Sequence, residues 1–255
     1  MGWRADLDTI AALVRRAANE LLRVPGAAIP GVLAPTIFFV GIVSVFGALT
    51  QLPGFGGTYQ SFLLPISLMQ GAGFTGAATG VNLARDIEQG WFDRLLVSPA
   101  PRPVLLAGLV ISASLRSLIP TTVLLIVGFS LGVSWPGLGG LAIAVVIIMG
   151  MGTLAACWGA VLALRFRSQS AAPLMQMGML VLIFTTTAYA PLALLTGWVH
   201  TVARFNPVTQ IVETARQGFV GGVTWGDTWP GLLALAGLLA LLSALALRGM
   251  RRTAF

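Results

Sequence analysis

The chain has 255 residues, of which 56% are hydrophobic and only 9% are charged, and its mean hydropathy is +0.90. This composition excludes an ordinary soluble domain and predicts a membrane protein. The formal net charge of +7 rests on arginine alone, because the chain has no lysine. A standard P-loop ATPase needs a lysine on the nucleotide phosphates and is therefore excluded.

Residues 1–30 predict a helix that lies on the membrane surface. Over 7–24, apolar residues recur at helical spacing, while Arg15, Arg16 and Arg23 take the other faces. The apolar positions are Leu7, Ile10, Val14, Ala17 and Leu21. Such a helix is either an interfacial anchor or a connecting helix that touches a cytoplasmic partner, and the pattern does not separate the two.

Six apolar stretches follow within 31–247, each long enough, or nearly so, to cross a bilayer as a helix. A hydrocarbon core of about 30 Å needs about 20 helical residues. Continuous hydrophobicity excludes the alternating pattern of a membrane β-barrel. We therefore predict an all-α fold with six transmembrane helices in one domain, 1–255. The spans are 31–50, 61–83, 104–131, 138–164, 173–195 and 230–247.

The arginines fall on alternate connections between these spans. Twelve of the fifteen arginines lie in four places: before span one, between spans two and three, between spans four and five, and after span six. Since positive residues stay on the cytoplasmic side, both termini, including the tail 248–255, are predicted to be cytoplasmic in a bacterial inner membrane. The dispersed arginines indicate contact with membrane lipid and no nucleic-acid partner.

Few residues of this chain can carry chemistry. Cys157 is the single cysteine, His200 is the single histidine, and no acidic residue lies in a predicted span. We therefore expect no metal site, no cofactor site and no catalytic residue. The carboxylate relay that is usual in proton-coupled transporters is also missing.

The connection between spans two and three, 84–103, predicts a short docking helix. After Gly90, apolar side chains at positions 91, 92, 95 and 96 fit one helical face, and prolines then end the helix. A solvated loop has little reason to present a tryptophan, a phenylalanine and two leucines, whereas a protein-docking surface does. The alternative is a helix on the membrane, with Trp91 in the aromatic belt.

Within the spans, small and polar residues mark two features. Gly76 and Gly80 in span two predict a close helix approach, either within the chain or between subunits. Arg116 in span three is ionisable at membrane depth and is therefore a candidate for a transport pathway. Span five adds the candidates Gln176, Thr186 and Tyr189, which could equally bond only the backbone of the bundle.

The segment 196–229, between spans five and six, predicts a helix at the outer leaflet. Asn206 suits the cap and Pro207 the first turn, and an apolar stripe follows. Glu213 and Arg216 are spaced for an i,i+3 ion pair. The helix is either interfacial or an outer lid over a pathway.

The pattern resembles the membrane subunit of a type-2 (ABC-2) ATP-binding-cassette exporter. The resemblance rests on RDIEQGWFDRLLVSPAPR at 85–102 and FNPVTQIVETARQGFVGG at 205–222. The amphipathic N-terminus and the six spans agree with it, so the resemblance covers essentially the whole chain.

This resemblance implies a dimer with a second copy of this chain or a homologous permease, joined to two copies of a P-loop ATPase subunit that binds Mg-ATP. The loop between spans two and three would be a coupling helix seated in that ATPase, and 206–218 would be the outer re-entrant region. By motif position, the residues of the ATPase contact are Glu88, Gly90, Trp91, Phe92, Asp93, Arg94 and Leu95.

Within the family, the compact chain is similar to drug-resistance and natural-product exporters. This implies ATP-driven export of an amphiphilic or hydrophobic drug, lipid or natural product from the cytoplasm or inner leaflet. A permease for polysaccharide or teichoic acid is the nearest alternative. A secondary transporter or channel without an ATPase, and a membrane-embedded assembly protein, are the other classes.

Overall fold

The computed structural model describes residues 3–23, 29–47, 57–97 and 100–252, which form eleven α-helices and no β-strand. The predicted all-α fold is confirmed for these residues. The helices are α1 (Trp3–Arg23), α2 (Ile29–Phe46), α3 (Tyr59–Glu88), α4 (Trp91–Val97), α5 (Arg102–Arg116), α6 (Leu118–Ser130), α7 (Gly137–Phe166), α8 (Ala172–Phe184), α9 (Gly197–Phe205), α10 (Pro207–Val220) and α11 (Trp225–Arg252). Four predicted segments lie partly outside the described residues: 1–30 at 1–2 and 24–28, 31–50 at 48–50, 84–103 at 98–99, and 248–255 at 253–255.

The centre of the bundle is the crossing of α3 and α7, where both helices present glycine. A Cβ atom built on Gly76 would overlap Gly152, and one built on Gly80 would overlap the backbone of Gly159. The two backbones therefore touch, which only glycine permits. The close approach predicted for span two is confirmed, and it lies within the chain.

Three described stretches are both long and apolar enough to cross a membrane: Arg102–Ser130, Gly137–Phe166 and Trp225–Arg252. Two shorter apolar helices cover Gly31–Phe46 and Gln169–Phe184. Although α3 is 30 residues long, it carries many small and polar side chains, most of them buried inside the bundle. The count of six spans stays a prediction.

The sequence predicted span three as one continuous helix. In the structure it is two helices, because α5 ends at Arg116 and α6 begins at Leu118. The cause is Pro120, which has no N–H group to donate to the Arg116 carbonyl four residues earlier. The hydroxyls of Ser117 and Thr121 also bond backbone carbonyls one turn back, at 2.6 and 2.7 Å. The break places Arg116 at a helix end.

Span five is shorter than predicted, because α8 ends at Phe184 and residues 185–191 turn away from the helix. The Thr185 hydroxyl donates to the carbonyl of Val181 at 2.9 Å. The side-chain amide of Asn206 then donates to the carbonyls of Leu182 and Thr185, at 3.2 Å each. These bonds satisfy carbonyls that the ended helix leaves without partners.

Span six is longer than predicted, since α11 begins at Trp225 and continues through Arg252. Its start is a capping pair in which the Asp227 N–H donates to the Thr224 hydroxyl at 3.2 Å, and that hydroxyl donates back to the Asp227 carboxylate at 2.6 Å. Trp229 therefore belongs to the helix and not to the preceding loop. Residues 248–252, predicted as tail, are helical as well.

Candidate functional site

One end of the bundle carries α4, the short helix that the sequence predicted after Gly90. Gly90 has a positive φ of 70°, which lets the chain reverse between α3 and α4. Phe92 faces inward and is buried, whereas Asp93 and Arg94 are exposed. Val97, the last residue of the helix, is 87% exposed. The helix α4 thus has an apolar face that packs against the bundle and an outer face that the described residues leave exposed to solvent.

Arg16 of α1 fixes the position of α4. Its guanidinium donates to the two carboxylate oxygens of Asp86 at 3.0 and 3.1 Å, and its Cζ atom lies 3.5 Å from the centre of the Trp91 ring. An ion pair combined with cation–π stacking holds a planar guanidinium in one orientation. Arg16 therefore joins three helices: α1, the end of α3, and α4.

Glu88 closes the last turn of α3 onto the connection before α8. Its two carboxylate oxygens accept hydrogen bonds from the backbone and side-chain N–H groups of Gln169, at 2.9 and 2.7 Å. The Gln169 side chain, followed by Ser168 and the Gln169 backbone, lowers the pKa of Glu88, because each bond favours the ionised carboxylate. The sequence predicted that Glu88 contacts the ATPase subunit. Within the described residues, its carboxylate links the end of α3 to Gln169.

A cleft between α1, α3, α4 and α5 extends inward from this end. Arg16, Trp91 and Phe92 lie at its α4 side, and Arg116 lines it deeper. The Arg116 guanidinium donates to the Thr79 hydroxyl at 2.5 Å. Arg116 therefore belongs to the end of the molecule that carries α4.

The opposite end of the bundle is organised by Arg216 of α10, which is 2% exposed. Its guanidinium donates to the carbonyls of Phe62, Thr187 and Ala188 at 3.0, 2.8 and 3.1 Å, and to the Glu213 carboxylate at 2.9 Å. Its Cζ atom also lies 3.6 Å from the centre of the Phe62 ring. The predicted Glu213–Arg216 pair is confirmed, and the Arg216 side chain is buried.

The beginning of α10 agrees with the sequence. The Asn206 side-chain oxygen accepts from the Val208 N–H at 2.9 Å, and Pro207 occupies the first turn. Gly218 lies inside α10 and packs directly on Gly140 of α7. α10 packs against α3, α7 and α11, so it is part of the helix bundle, and its role as an interfacial helix or an outer lid stays a prediction.

The four candidate pathway residues do not form one site. Tyr189 accepts a 2.6 Å bond from the Gln70 amide, and Thr186 bonds a backbone carbonyl of its own helix end. Gln176 lies along α8, and Arg116 lies at the α4 end. These residues therefore lie apart in the bundle, and their assignment to a transport pathway stays a prediction. Sequence reasoning also missed Gln70, although a glutamine in an apolar span was a readable signal.

Charged side chains of the described residues form hydrogen bonds and an ion pair between helices. No group of three His, Cys, Asp or Glu side chains within the described ranges could hold a metal ion. The polar groups instead link helices: Arg16 at the α4 end and Arg216 at the α10 end.

Comparison with known proteins shows that the sequence of this chain is similar to those of membrane transporters. The model of the family described as ABC-2 type transporter matches residues 9–220. A daunorubicin resistance ABC transporter permease protein of Streptomyces coeruleorubidus is 24% identical over 222 residues, covering 85% of this chain and 77% of the relative. A protein of Mycobacterium tuberculosis, named as a probable doxorubicin resistance ABC transporter permease, is 25% identical over 246 residues, covering 94% and 86%.

Proposed function

This chain belongs to the ABC-2 type transporter family, and on that premise we propose that it is the membrane-spanning subunit of an ATP-driven exporter. The energy comes from a P-loop ATPase on separate polypeptides, in two copies, that bind Mg-ATP. The chain itself has no lysine for a nucleotide-binding loop. It pairs with a second copy or a homologous permease to enclose a pathway.

The observation that carries the proposal is the two-sided α4 helix. Its inner face is held by Arg16 and by the burial of Phe92, so α4 does not need the membrane surface to be ordered. Its outer face presents Asp93, Arg94 and Val97 to a partner. Exposed charges around an exposed apolar side chain are typical of a protein interface.

We assign different roles to the seven residues that were predicted to contact the ATPase. Asp93 and Arg94, together with Val97, form the contact surface. Leu95 packs partly against the apolar cluster that contains Phe92. Trp91 and Glu88 bond within the chain, and Gly90 supplies the turn. A rigid α4 follows its partner as a unit and pulls α1 and α3 with it.

The cargo that fits this proposal is an amphiphilic or hydrophobic compound. Two relatives are named for resistance to daunorubicin and to doxorubicin, which supports a drug or natural product as the cargo class. The chain carries few charges in its apolar helices, so a compound that enters from the cytoplasm or the inner leaflet meets mostly apolar walls.

Orientation follows from the arginines. Arg16, Arg94 and Arg102 cluster at the end that carries α4, which the positive-inside rule assigns to the cytoplasm of a bacterial inner membrane. The end that carries Arg216 then faces outward. Single cysteines in a Cys157→Ser background test this: a cysteine at position 97 is expected to react only from the cytoplasm, and one at 138 only from outside.

Site-specific photocrosslinking tests the α4 contact. Val97 and Leu138 are 87% and 80% exposed, at opposite ends of the bundle, so they form a matched pair. A photoreactive residue at 97 is expected to crosslink a P-loop ATPase subunit in native membranes, and one at 138 is not. An ATPase crosslink that is absent at 97, or equal at both positions, would contradict the proposed docking.

A further inference from the structure

A cavity beside α10, at the end opposite α4, is a polar feature that the export proposal leaves without a role. Its empty space is about 1260 Å³, counting its open mouth. We name it the α10 vestibule. Its polar lining comes from Thr187, Thr209, Gln210, Glu213, Arg216, Gln217 and Asp227.

The single basic side chain of this lining, Arg216, is already committed. It is 2% exposed, and its guanidinium donates to three backbone carbonyls and to Glu213. A guanidinium that is bonded this completely and is closed off from solvent cannot also receive an anion from the vestibule. Its role is to hold α10 in place.

Glu213 is in the opposite situation. One carboxylate oxygen, Oε1, accepts from Arg216 and from the Thr187 hydroxyl. The other oxygen, Oε2, has no hydrogen bond within the described part of the chain, and the side chain is 44% exposed. A carboxylate oxygen has room for two donors, so Glu213 can accept a ligand while it still holds Arg216.

A second acidic side chain, Asp227, adds to the negative charge of Glu213 in the vestibule. Asp227 lines the cavity and is exposed, and with Glu213 and Arg216 it brings the lining to a net charge of −1. A concave site whose lining carries a net negative charge favours cations over anions. Leu192, Val220 and Pro230 supply apolar wall beside these groups.

We propose that the α10 vestibule binds organic cations, with an ammonium or similar group of an amphiphilic compound at Glu213 and the apolar part of that compound against the neighbouring wall. This assignment rests on the proposed export function, because it names the charge class of cargo that the outward end receives. It makes Glu213 a specificity-determining residue and Arg216 its positioning partner.

Two ions of the same shape and opposite charge test the assignment directly. Tetraphenylphosphonium and tetraphenylborate are added to the full-length chain in nanodiscs, and binding is measured by equilibrium dialysis with empty nanodiscs subtracted. We expect Glu213→Gln to weaken binding of the phosphonium roughly tenfold without weakening binding of the borate. Asp8→Asn, which removes an exposed acid at the other end, is expected to change neither.

A second variant leaves the Arg216 clamp intact, in case Glu213→Gln does not fold. Gln210 is exposed, lines the vestibule and lies one turn before Glu213. Gln210→Lys is expected to weaken phosphonium binding, and Gln210→Glu to strengthen it. Phosphonium binding that is the same in wild type, Gln210→Lys and folded Glu213→Gln overturns the proposal.

Competition separates an organic from an inorganic cation. Displacement of the phosphonium by MgCl₂, but not by choline chloride at equal ionic strength, would show a metal-ion site and overturn the assignment. Stronger displacement by choline chloride than by MgCl₂ at equal ionic strength supports it, and equal displacement by both, which ionic screening alone would give, overturns it. Because this binding requires no ATPase, a failed search for the ATPase partner overturns the export proposal without affecting the Glu213 result.

Discussion

The guanidinium of Arg16 lies 3.5 Å from the centre of the Trp91 ring and 3.0 Å from the Asp86 carboxylate, so one side chain of α1 holds both α3 and α4. The sequence left open whether α1 is an interfacial anchor or a connecting helix that touches a cytoplasmic partner. Within the chain α1 contacts α3 and α4, and contact with a cytoplasmic partner stays a prediction.

Removal of the Arg16 charge is expected to loosen α4. In Arg16→Gln, both the ion pair and the ring contact are lost, and hydrogen exchange of amides 91–97 should become faster. Arg15→Gln is the matched control, since Arg15 is the exposed neighbour. The double change Arg16→Asp with Asp86→Arg restores the pair and should restore part of the protection. Unchanged exchange in Arg16→Gln would show that Arg16 does not position α4.

The glycine crossing of α3 and α7 is expected to tolerate no side chain. Gly80→Ala places a Cβ atom on the backbone of Gly159, and overpacking of this kind costs about 1–3 kcal/mol. We expect a lower melting temperature in a thermal assay on the detergent-solubilised chain. Gly41→Ala is the control, because a Cβ atom there has nothing within 4 Å. Equal melting temperatures in both variants would mean that the helices are not in contact at Gly80.

Arg216 is expected to be needed for folding. Arg216→Gln takes the guanidinium away from the backbone carbonyls of Phe62, Thr187 and Ala188. Each buried acceptor left without a donor costs about 1–3 kcal/mol, so this variant should yield little monodisperse protein on size-exclusion chromatography. Arg216→Lys should not rescue it, because an ammonium cannot reach the same set of acceptors from one plane. Arg204→Gln changes an exposed arginine of α9 and should behave as wild type. Normal yield from Arg216→Gln would contradict the clamp.

Glu88 gives the end that carries α4 a dependence on pH. Since the hydrogen bonds from Gln169 lower the pKa of Glu88 in the folded chain, the ionised carboxylate stabilises the fold. That contribution is complete above the ordinary pKa of a glutamate and is lost as the pH falls through the lowered value. The melting temperature of Glu88→Ala should therefore lie below that of wild type at pH 7, and the gap should close in acid. A gap that widens in acid would reverse the sign.

The sequence predicted those elements whose signal is local. The turn at Gly90 with α4, the Asn206–Pro207 start of α10 and the spacing of Glu213 and Arg216 are each determined by neighbours within a few residues. The crossing at Gly80 was also readable, since small residues at that spacing permit close packing.

Other features depended on partners far along the chain. The end of α8 at Phe184 is completed by Asn206, twenty-two residues later, and apolar residues beyond 184 gave no sign of it. The burial of Arg216 depends on the backbone carbonyls of Phe62, Thr187 and Ala188, which the local spacing of Glu213 and Arg216 does not reveal. The break in the helix before Leu118 could have been predicted from the sequence, because Pro120 removes a helical hydrogen bond.

The central claim is that a separate ATPase drives this chain through α4, and copurification tests it most directly. The tagged chain is isolated from gently solubilised native membranes, and the proteins that accompany it are identified and quantified by mass spectrometry. We predict a P-loop ATPase in equimolar amount with wild type, and its loss with a charge reversal at Asp93 and Arg94 that leaves the chain folded. A folded wild-type chain that carries no P-loop ATPase would contradict the account.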